Sequence, residues 1–158
     1  EEIHDLARRY YVGDTEDYVS SGVTSGLPIT RITVDESSHL TKLTTWVSDL
    51  IKMKIPADDI VVLTATGKDR TTADSSEYFS IKDQDTNRHN KPTVWVTTPR
   101  KFQGLERNTI ILSDISREFH RDNQLRQILY TTISRATVQL IIIATKEEFQ
   151  RIDMAAYR

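Results

Sequence analysis

The chain has 158 residues, the length of one ordinary globular domain, and we expect residues 1–158 to form a single domain. Hydrophobic residues make up 37% and charged residues 28%, with no run of about 18 apolar residues and no signal peptide at the start, so neither a membrane span nor secretion is indicated. The absence of cysteine excludes disulfides and cysteine-based zinc sites, and the four histidines are too scattered to suggest a metal site. We therefore expect a cytoplasmic protein.

The net charge of -2 is unevenly distributed along the chain. Residues 1–90 contain 10 basic and 16 acidic residues, a net charge of -6, whereas residues 91–158 contain 11 and 7, a net charge of +4. The second half is the better place to expect contacts with phosphate groups, although such asymmetry also arises by chance in many domains.

Helical and strand patterns alternate along the sequence. Apolar residues at helical spacing predict helices at residues 2–11, 35–54, 123–134 and 146–157. Short apolar or alternating runs predict strands at residues 29–34, 60–63, 93–97, 109–112 and 138–144. The first helix has no capping residue before it, which suggests a piece cut from a longer protein.

Two segments lack a clear pattern. Residues 13–28 have the composition of a loop, and residues 67–92 are polar, with at most one short helix near residues 75–79. The remaining order of apolar strands and helices predicts an α/β fold with a mostly parallel central sheet and helices on both faces. Ligands of such sheets bind outside the carboxyl ends of the strands, so we expect the chemistry in the loops that follow strands.

The helices are expected to cover the sheet with the apolar residues that recur along one face of each. These inward-facing residues are Ile3, Leu6, Ala7 and Tyr10 in the first helix, Leu40, Leu43, Val47, Leu50 and Ile51 in the second, and Leu125, Ile128, Leu129 and Thr132 in the third. Trp95, in the middle of a predicted strand, is expected to belong to the core.

The sequence lacks the glycine-rich loop G-x-x-x-x-G-K-[ST] that holds nucleotide phosphates. Its one Gly-Lys pair, Gly67-Lys68, is followed by Asp69 and has Val62 in place of the first glycine. The chain by itself is therefore not expected to grip a nucleoside triphosphate in that manner.

Residues 98–106 read Thr-Pro-Arg-Lys-Phe-Gln-Gly-Leu-Glu and lie between two predicted strands. This segment resembles motif V of superfamily 1 helicases, T-x-x-x-[FS]-[KQ]-G-x-E. Thr98 coincides with the motif threonine, and Gly104 and Glu106 coincide with its glycine and acid. Glycine permits close backbone approach to a ligand, and a threonine hydroxyl donates to phosphate.

Residues 129–136 read Leu-Tyr-Thr-Thr-Ile-Ser-Arg-Ala and precede a buried strand. They resemble motif VI of the same helicases, L-Y-x-A-[IL]-[ST]-R-A, with Thr132 in place of the usual alanine. Each motif alone has an ordinary structural explanation: Gly104 as a turn residue, Glu106 as a solvated charge, Arg135 as a cation at a helix end. Their order and spacing together favour the family.

The resemblance implies the second, RecA-like three-layer motor domain of a UvrD/Rep-like helicase that uses ATP and Mg²⁺, bound mainly by a first RecA-like domain absent from this chain. It implies that Arg135 is a catalytic arginine finger and that Gly104, Glu106 and Arg135 contact ATP. Single-stranded nucleic acid, with DNA favoured by family frequency, would contact Thr98, Arg100, Lys101 and Phe102. The residues expected to couple the two sites are Gln103, Tyr130 and Ser134, with Thr132 also placed to position the arginine.

Three interpretations stay open at this point. The chain is a motor domain of an ATP-dependent helicase or translocase, inactive by itself, or a degenerate motor domain that serves as a protein- or nucleic-acid-binding scaffold, or half of another RecA-like NTPase. The Phe-Gln-Gly of motif V resembles RecD-like helicases more than UvrD-like ones, so the polarity of translocation is not determined. Arg107 is a further candidate for phosphate contacts, beside Arg100 and Lys101.

Overall fold

The computed structural model describes residues 3–11, 29–64, 80–82, 92–115 and 122–156. The four α-helices in this part of the chain are α1 (Ile3–Arg9), α2 (His39–Lys52), α3 (Asp122–Ile133) and α4 (Lys146–Ala156). The strands are β1 (Thr30–Thr33), β2 (Ile60–Thr64), β3 (Ser80–Lys82), β4 (Thr93–Thr97), β5 (Arg107–Ser113) and β6 (Ala136–Ala144). The predicted loop at residues 13–28 and the predicted short helix near residues 75–79 lie outside the described residues.

The strands form one six-stranded sheet in the order β1-β6-β5-β2-β4-β3, and every pair of neighbours is parallel. The central strands β2 and β5 are almost continuous apolar runs, Ile-Val-Val-Leu and Ile-Ile-Leu, because both of their faces are covered. The predicted α/β fold is confirmed, and the sheet is parallel throughout its described strands.

Two hydrophobic clusters cover the two faces of the sheet. One unites α1, α3 and α4 with alternate residues of β2, β5 and β6, such as Val61, Ile110 and Leu140. The other unites α2 with the intervening residues, such as Val62, Ile111 and Ile141. This period of two follows from strand geometry, which points successive side chains to opposite faces.

Most predicted inward-facing helix residues are buried, including all four of α1. Two differ. Leu40 is exposed, because the start of the predicted second helix is a 3-10 turn at Glu36–Ser38 and the α-helix begins only at His39. Ile128 is half-buried at the edge of a groove, while Leu125 and Leu129 occupy the core side of α3.

The strand β3 was not predicted. It pairs only with β4, at the edge of the sheet, through Ser80–Lys82 against Thr93–Trp95. A strand of three residues offers too few positions for a period of two to be read, and edge strands are often short and polar. The sequence signal was therefore too weak to separate it from the surrounding polar segment.

A reciprocal capping box begins α4. The Thr145 N–H donates to Glu148 Oε2 (2.7 Å), and the Glu148 N–H donates to the Thr145 hydroxyl (3.2 Å). This arrangement satisfies two backbone donors at the helix start. Glu148 is nevertheless buried, and burial raises the pKa of its carboxyl against the lowering effect of these hydrogen bonds.

The raised pKa predicts a pH-dependent cost to folding. The folded chain favours the protonated form of Glu148. The contribution of this group to the free energy of unfolding is therefore complete below the unfolded pKa of about 4.5, and it is lost as pH rises through the higher folded pKa. Glu148→Gln keeps an oxygen that accepts from Thr145 and cannot ionise. Urea unfolding of both proteins between pH 4 and 6 should show the stability of the variant rising relative to wild type with pH; a difference that stays constant would contradict this account.

Candidate functional site

Arg135 and Glu106 lie side by side at the amino ends of two central strands. Arg135 occupies the turn between α3 and β6, and Glu106 immediately precedes β5. The Arg107 N–H donates to the Arg135 carbonyl (3.2 Å), which ties the two strand entrances together. The Arg135 Nη1 and Glu106 Oε1 atoms are 3.9 Å apart, a distance at which the charges attract but do not form a close hydrogen bond.

Backbone hydrogen bonds hold the Arg135 turn. The Ser134 N–H donates to the Tyr130 carbonyl (3.0 Å), and the Arg135 N–H donates to the Thr132 carbonyl (3.3 Å). The Ser134 hydroxyl lies 3.4 Å from the Thr131 carbonyl. Tyr130 and Thr132, which the resemblance placed in support of the arginine, therefore contact this turn through their carbonyl groups, because the turn continues the end of α3.

The Arg135 guanidinium is only partly satisfied. Its side chain is 34% exposed, and its Nε atom is buried with no hydrogen-bond partner among the described residues. Glu106, at 62% exposure, offers only a distant oxygen. A guanidinium carries five N–H donors in a planar fork, so most of this donor capacity is free for an anionic group that approaches the exposed side.

The candidate residues of this pair do not lie at the carboxyl edge, where ligands of parallel sheets were expected to bind. Arg135 and Glu106 precede their strands, so they lie at the amino edge of the parallel sheet, whereas Thr98 directly follows β4 at the carboxyl edge. The rule about carboxyl ends concerns ligands bound within one doubly wound domain. It does not exclude a functional residue at the amino edge of the sheet.

The segment from Thr98 to Glu106 connects these two edges. Its first part is a tight turn, in which the Phe102 N–H donates to the Thr98 carbonyl (3.0 Å) and the Lys101 N–H lies 3.3 Å from the Thr98 hydroxyl oxygen. Arg100, Lys101 and Gln103 are exposed on the outside of this turn. Those three side chains are open to solvent, and their contacts with nucleic acid or their part in coupling stay predictions.

Phe102 is a correction to the predicted nucleic-acid contacts. Its side chain is 1% exposed and packs in the core, with its ring centroid 5.7 Å from that of Trp95. Trp95 is partly buried and packs against the same cluster, in agreement with its predicted place in the core. Since the strand-crossing segment must cover apolar surface, Phe102 anchors the turn from inside and cannot stack on a base.

Gly104 has a backbone role that needs no ligand. Its φ of +85° lies in the region that side-chain-bearing residues rarely adopt, and a Cβ there would meet no atom within 4 Å. The glycine is therefore required by the turn conformation. Arg107, the third candidate for phosphate contacts, holds its guanidinium 5.8 Å from the Trp95 ring centroid and is half-buried.

A groove of about 620 Å³ separates this turn from α3. One wall consists of Thr98, Pro99, Arg100 and Gln103, and the other of Gln124, Gln127, Ile128 and Thr131. The glutamines of α3 did not stand out in the sequence. The only signal for them was their position on the helix side opposite Leu125 and Leu129.

A second polar cluster lies at the carboxyl end of β5. The Asp114 N–H donates to His39 Nε2 (3.1 Å), and the Ser113 hydroxyl oxygen is also 3.1 Å from that nitrogen. Asp114 has a φ of +52°, which aims its N–H at the first residue of α2. This cluster was not predicted, because residues far apart in the sequence form it.

Two features are absent from the described residues. No group of three or more His, Cys, Asp or Glu side chains there is arranged to hold a metal ion. No helix in the same part of the chain has the length and apolar character needed to cross a bilayer.

The described residues form an α/β domain with one parallel sheet and with candidate residues at both edges of that sheet. Residues 93–143, which contain the turn, the groove and Arg135, match the family described as UvrD-like helicase C-terminal domain. The crystal structure of the C-terminal domain of a possible DNA helicase from Lactobacillus plantarum WCFS1 has a similar fold, with a TM-score of 0.58 and 18% sequence identity over 90% of this chain and 83% of that one. No curated protein matches the chain.

The family match agrees with the motif resemblance over the segment that contains both motifs. The family match covers the segment from β4 to β6, and the structural likeness extends the shared fold over the rest. At 18% identity that likeness concerns the fold alone.

The last turn of α3, just before Arg135, contains a hydroxyl without a hydrogen-bond partner among the described residues, and this leads to a stability prediction. Thr132 is fully buried, and its Oγ1 has no hydrogen-bond partner among the described residues. Thr132→Val removes this hydroxyl at nearly constant shape and should stabilise the fold by about 1 kcal/mol in urea unfolding. The matched variant Thr145→Val loses the α4 cap and should destabilise by about 1 kcal/mol. Destabilisation by Thr132→Val would show that its hydroxyl has a partner.

Proposed function

We propose that this domain is the second motor domain of an ATP-dependent helicase or translocase that acts on single-stranded nucleic acid, with Arg135 as its arginine finger. ATP and Mg²⁺ would be held mainly by a first motor domain of the same protein. The observation that carries this proposal is the partly unsatisfied Arg135 guanidinium beside Glu106, within the segment that matches the helicase family.

The residues at the amino edge fit a nucleotide. The exposed Nη side of Arg135 suits a phosphate oxygen, because guanidinium geometry matches phosphate. The exposed Glu106 carboxylate suits a ribose hydroxyl, which donates to it. When bound between the two motor domains, ATP with Mg²⁺ would supply the free energy of phosphoryl transfer.

Arg135 would act by stabilising negative charge that develops on the transferred phosphoryl group. Its backbone is held by the end of α3 and by the pairing of Arg107 with the Arg135 carbonyl, so little reorganisation is needed when the cleft closes. The carboxylate of Glu106 would keep the guanidinium near its working position in the open state. Tyr130 and Ser134 would serve as positioning residues through the hydrogen bonds of the turn.

The other end of the same segment supports a nucleic-acid contact. The Thr98 hydroxyl accepts from the Lys101 N–H, so its own O–H remains available to donate to a phosphate. Arg100 and Lys101 add two exposed cations beside it. Because Thr98 and Glu106 lie at the two ends of one short segment, with Gln103 between them, a shift at the nucleotide would be passed to the strand. DNA is the proposed strand.

Arg135→Ala in the full-length protein is the direct test. Loss of the finger should lower strand-stimulated ATP hydrolysis by about 10³-fold or more while nucleotide binding persists, since the arginine acts mainly in the transition state. Arg135→Lys should recover little, because a point charge lacks the planar fork. Steady-state ATPase assays with and without oligothymidylate, with nucleotide binding followed by fluorescence, provide the measurement.

Arg8→Ala is a matched control, because Arg8 is exposed at the end of α1 and lies outside the proposed site. It should leave the rate unchanged. Full activity of Arg135→Ala, or a wild-type protein with no strand-stimulated hydrolysis, would favour instead a degenerate motor domain that serves as a scaffold.

The isolated chain should not hydrolyse ATP. It lacks the phosphate-binding loop, so no group in its sequence holds the triphosphate in the P-loop manner. Phosphate release by the purified chain should equal the background of a parallel Arg135→Ala preparation, with or without a single strand. Turnover that survives repeated purification and depends on Arg135 would contradict a division of labour between two domains.

A further inference from the structure

A β-bulge lies close to Arg135, at the amino edge of the sheet. Two residues of β6, Thr137 and Val138, lie there opposite a single residue of β5, Asn108. Bulges turn a side chain out of the regular ladder, and they are frequent next to active sites. This bulge follows Arg135 by only two residues, and the proposed nucleotide contacts leave it without a role.

The bulge orients the side-chain amide of Asn108. The Thr137 hydroxyl donates to Asn108 Oδ1 (2.9 Å), and it lies 3.2 Å from the Arg107 carbonyl oxygen, an alternative acceptor. Asn108 is exposed, whereas Thr137 is half-buried. Because Thr137 occupies the carbonyl end of the amide, the NH2 end is directed away from it. Among the described residues, the two N–H donors of that group have no partner.

Asn108 lies on the same strand face as Glu106. Side chains at positions i and i+2 of an extended chain share one face and are roughly 7 Å apart. The Glu106 carboxylate is 62% exposed, and it accepts hydrogen bonds but donates none. The Asn108 NH2 group donates hydrogen bonds and accepts none. The amino edge therefore presents an acceptor and a donor next to each other, close to Arg135.

We propose that Glu106 and Asn108 together bind the vicinal diol of the nucleotide ribose, and that Asn108 makes the domain selective for ribonucleotides over deoxyribonucleotides. The inference rests on the proposed function, because it adds a second ribose contact to the one proposed for Glu106. One ribose hydroxyl donates to the Glu106 carboxylate, and the oxygen of the other hydroxyl accepts from the Asn108 NH2 group. Thr137 is a positioning residue, since its hydroxyl fixes the direction of the amide.

This pair of an acceptor and a donor fits a sugar better than a phosphate. A phosphate offers only acceptors, so next to Asn108 it would meet the like charge of the Glu106 carboxylate. A hydroxyl can donate to Glu106 or accept from Asn108. A vicinal diol carries two hydroxyls on neighbouring carbons, and with a hydrogen bond at each end it spans the distance between the two side chains. In this arrangement Arg135 keeps the phosphate contact.

Binding of nucleoside diphosphates to the full-length protein tests the proposal without hydrolysis. The affinities of ADP, 2′-deoxy-ADP and 3′-deoxy-ADP are measured by isothermal titration calorimetry. The wild-type protein should bind ADP about 3- to 10-fold more tightly than either deoxy analogue, because each analogue lacks one hydrogen bond. Asn108→Ala should abolish the preference over one analogue and keep the preference over the other.

Two results of this titration would overturn the proposal. One is a wild-type protein that binds all three nucleotides equally. The other is an Asn108→Ala protein in which both affinity ratios stay as in wild type. The ratios stay unchanged if all three affinities fall together, as for a phosphate contact, or if none of them falls.

Variants of Thr137 test whether the bulge orients the amide. Thr137→Val removes the hydroxyl at nearly constant shape and should reduce the ratio that depends on Asn108 by at least about 2-fold, whereas Thr137→Ser keeps the hydroxyl and should restore it. Gln150→Ala is the matched control, because Gln150 carries an amide at an exposed position of α4. It should leave all three affinities unchanged. A wild-type ratio in Thr137→Val would overturn the positioning role.

The outcomes separate this inference from the proposed function. If strand-stimulated hydrolysis depends on Arg135 while Asn108→Ala leaves the sugar preference unchanged, the ribose assignment fails and the motor assignment stands. If the full-length protein binds ADP with the expected preference but shows no strand-stimulated hydrolysis, the motor assignment fails and the ribose assignment stands. A full-length protein that binds none of the three nucleotides contradicts both.

Discussion

The constraint on which this structure depends is the need to join parallel strands that are buried on both faces. β4 and β5 are parallel and lie on opposite sides of β2, so the chain must return from the carboxyl edge to the amino edge while crossing β2. Such connections normally use a dozen or more residues and a helix. Here residues 98–106 make the crossing with a turn alone, and apolar surface beneath them must still be covered.

Several features of that segment follow from this constraint. Phe102 covers the sheet in place of a crossover helix and packs on Trp95. Gly104 takes a φ of +85°, which lets the chain change direction before β5 begins. Because the segment spans the height of the sheet, its start lies beside the groove and its end beside Arg135. A connection built around a longer helix would separate these two places by more intervening structure.

The short connection between β4 and β5 also affects α3, which packs on the same face of the sheet as residues 98–106. The helix ends at the turn that carries Arg135, and the Arg107–Arg135 backbone hydrogen bond joins this turn to the entrance of β5. The groove, the crossing segment and the arginine are therefore parts of one packed unit. This packing is the physical basis for the proposed coupling between strand binding and nucleotide hydrolysis.

The sequence by itself determined the alternation of strands and helices, because periods of two and 3.6 residues are visible wherever an element is long and one-sided or fully buried. It also located the two segments that resemble motif V and motif VI, together with the buried faces of α1 and most of α2 and α3. Only the tertiary structure decided the rest. It placed Arg135 and Glu106 at the amino edge, buried Phe102, paired β3 at the sheet edge, and set Gln124 and Gln127 opposite Thr98. These outcomes depend on which elements become neighbours, and strand order and packing between distant segments leave no local pattern in the sequence.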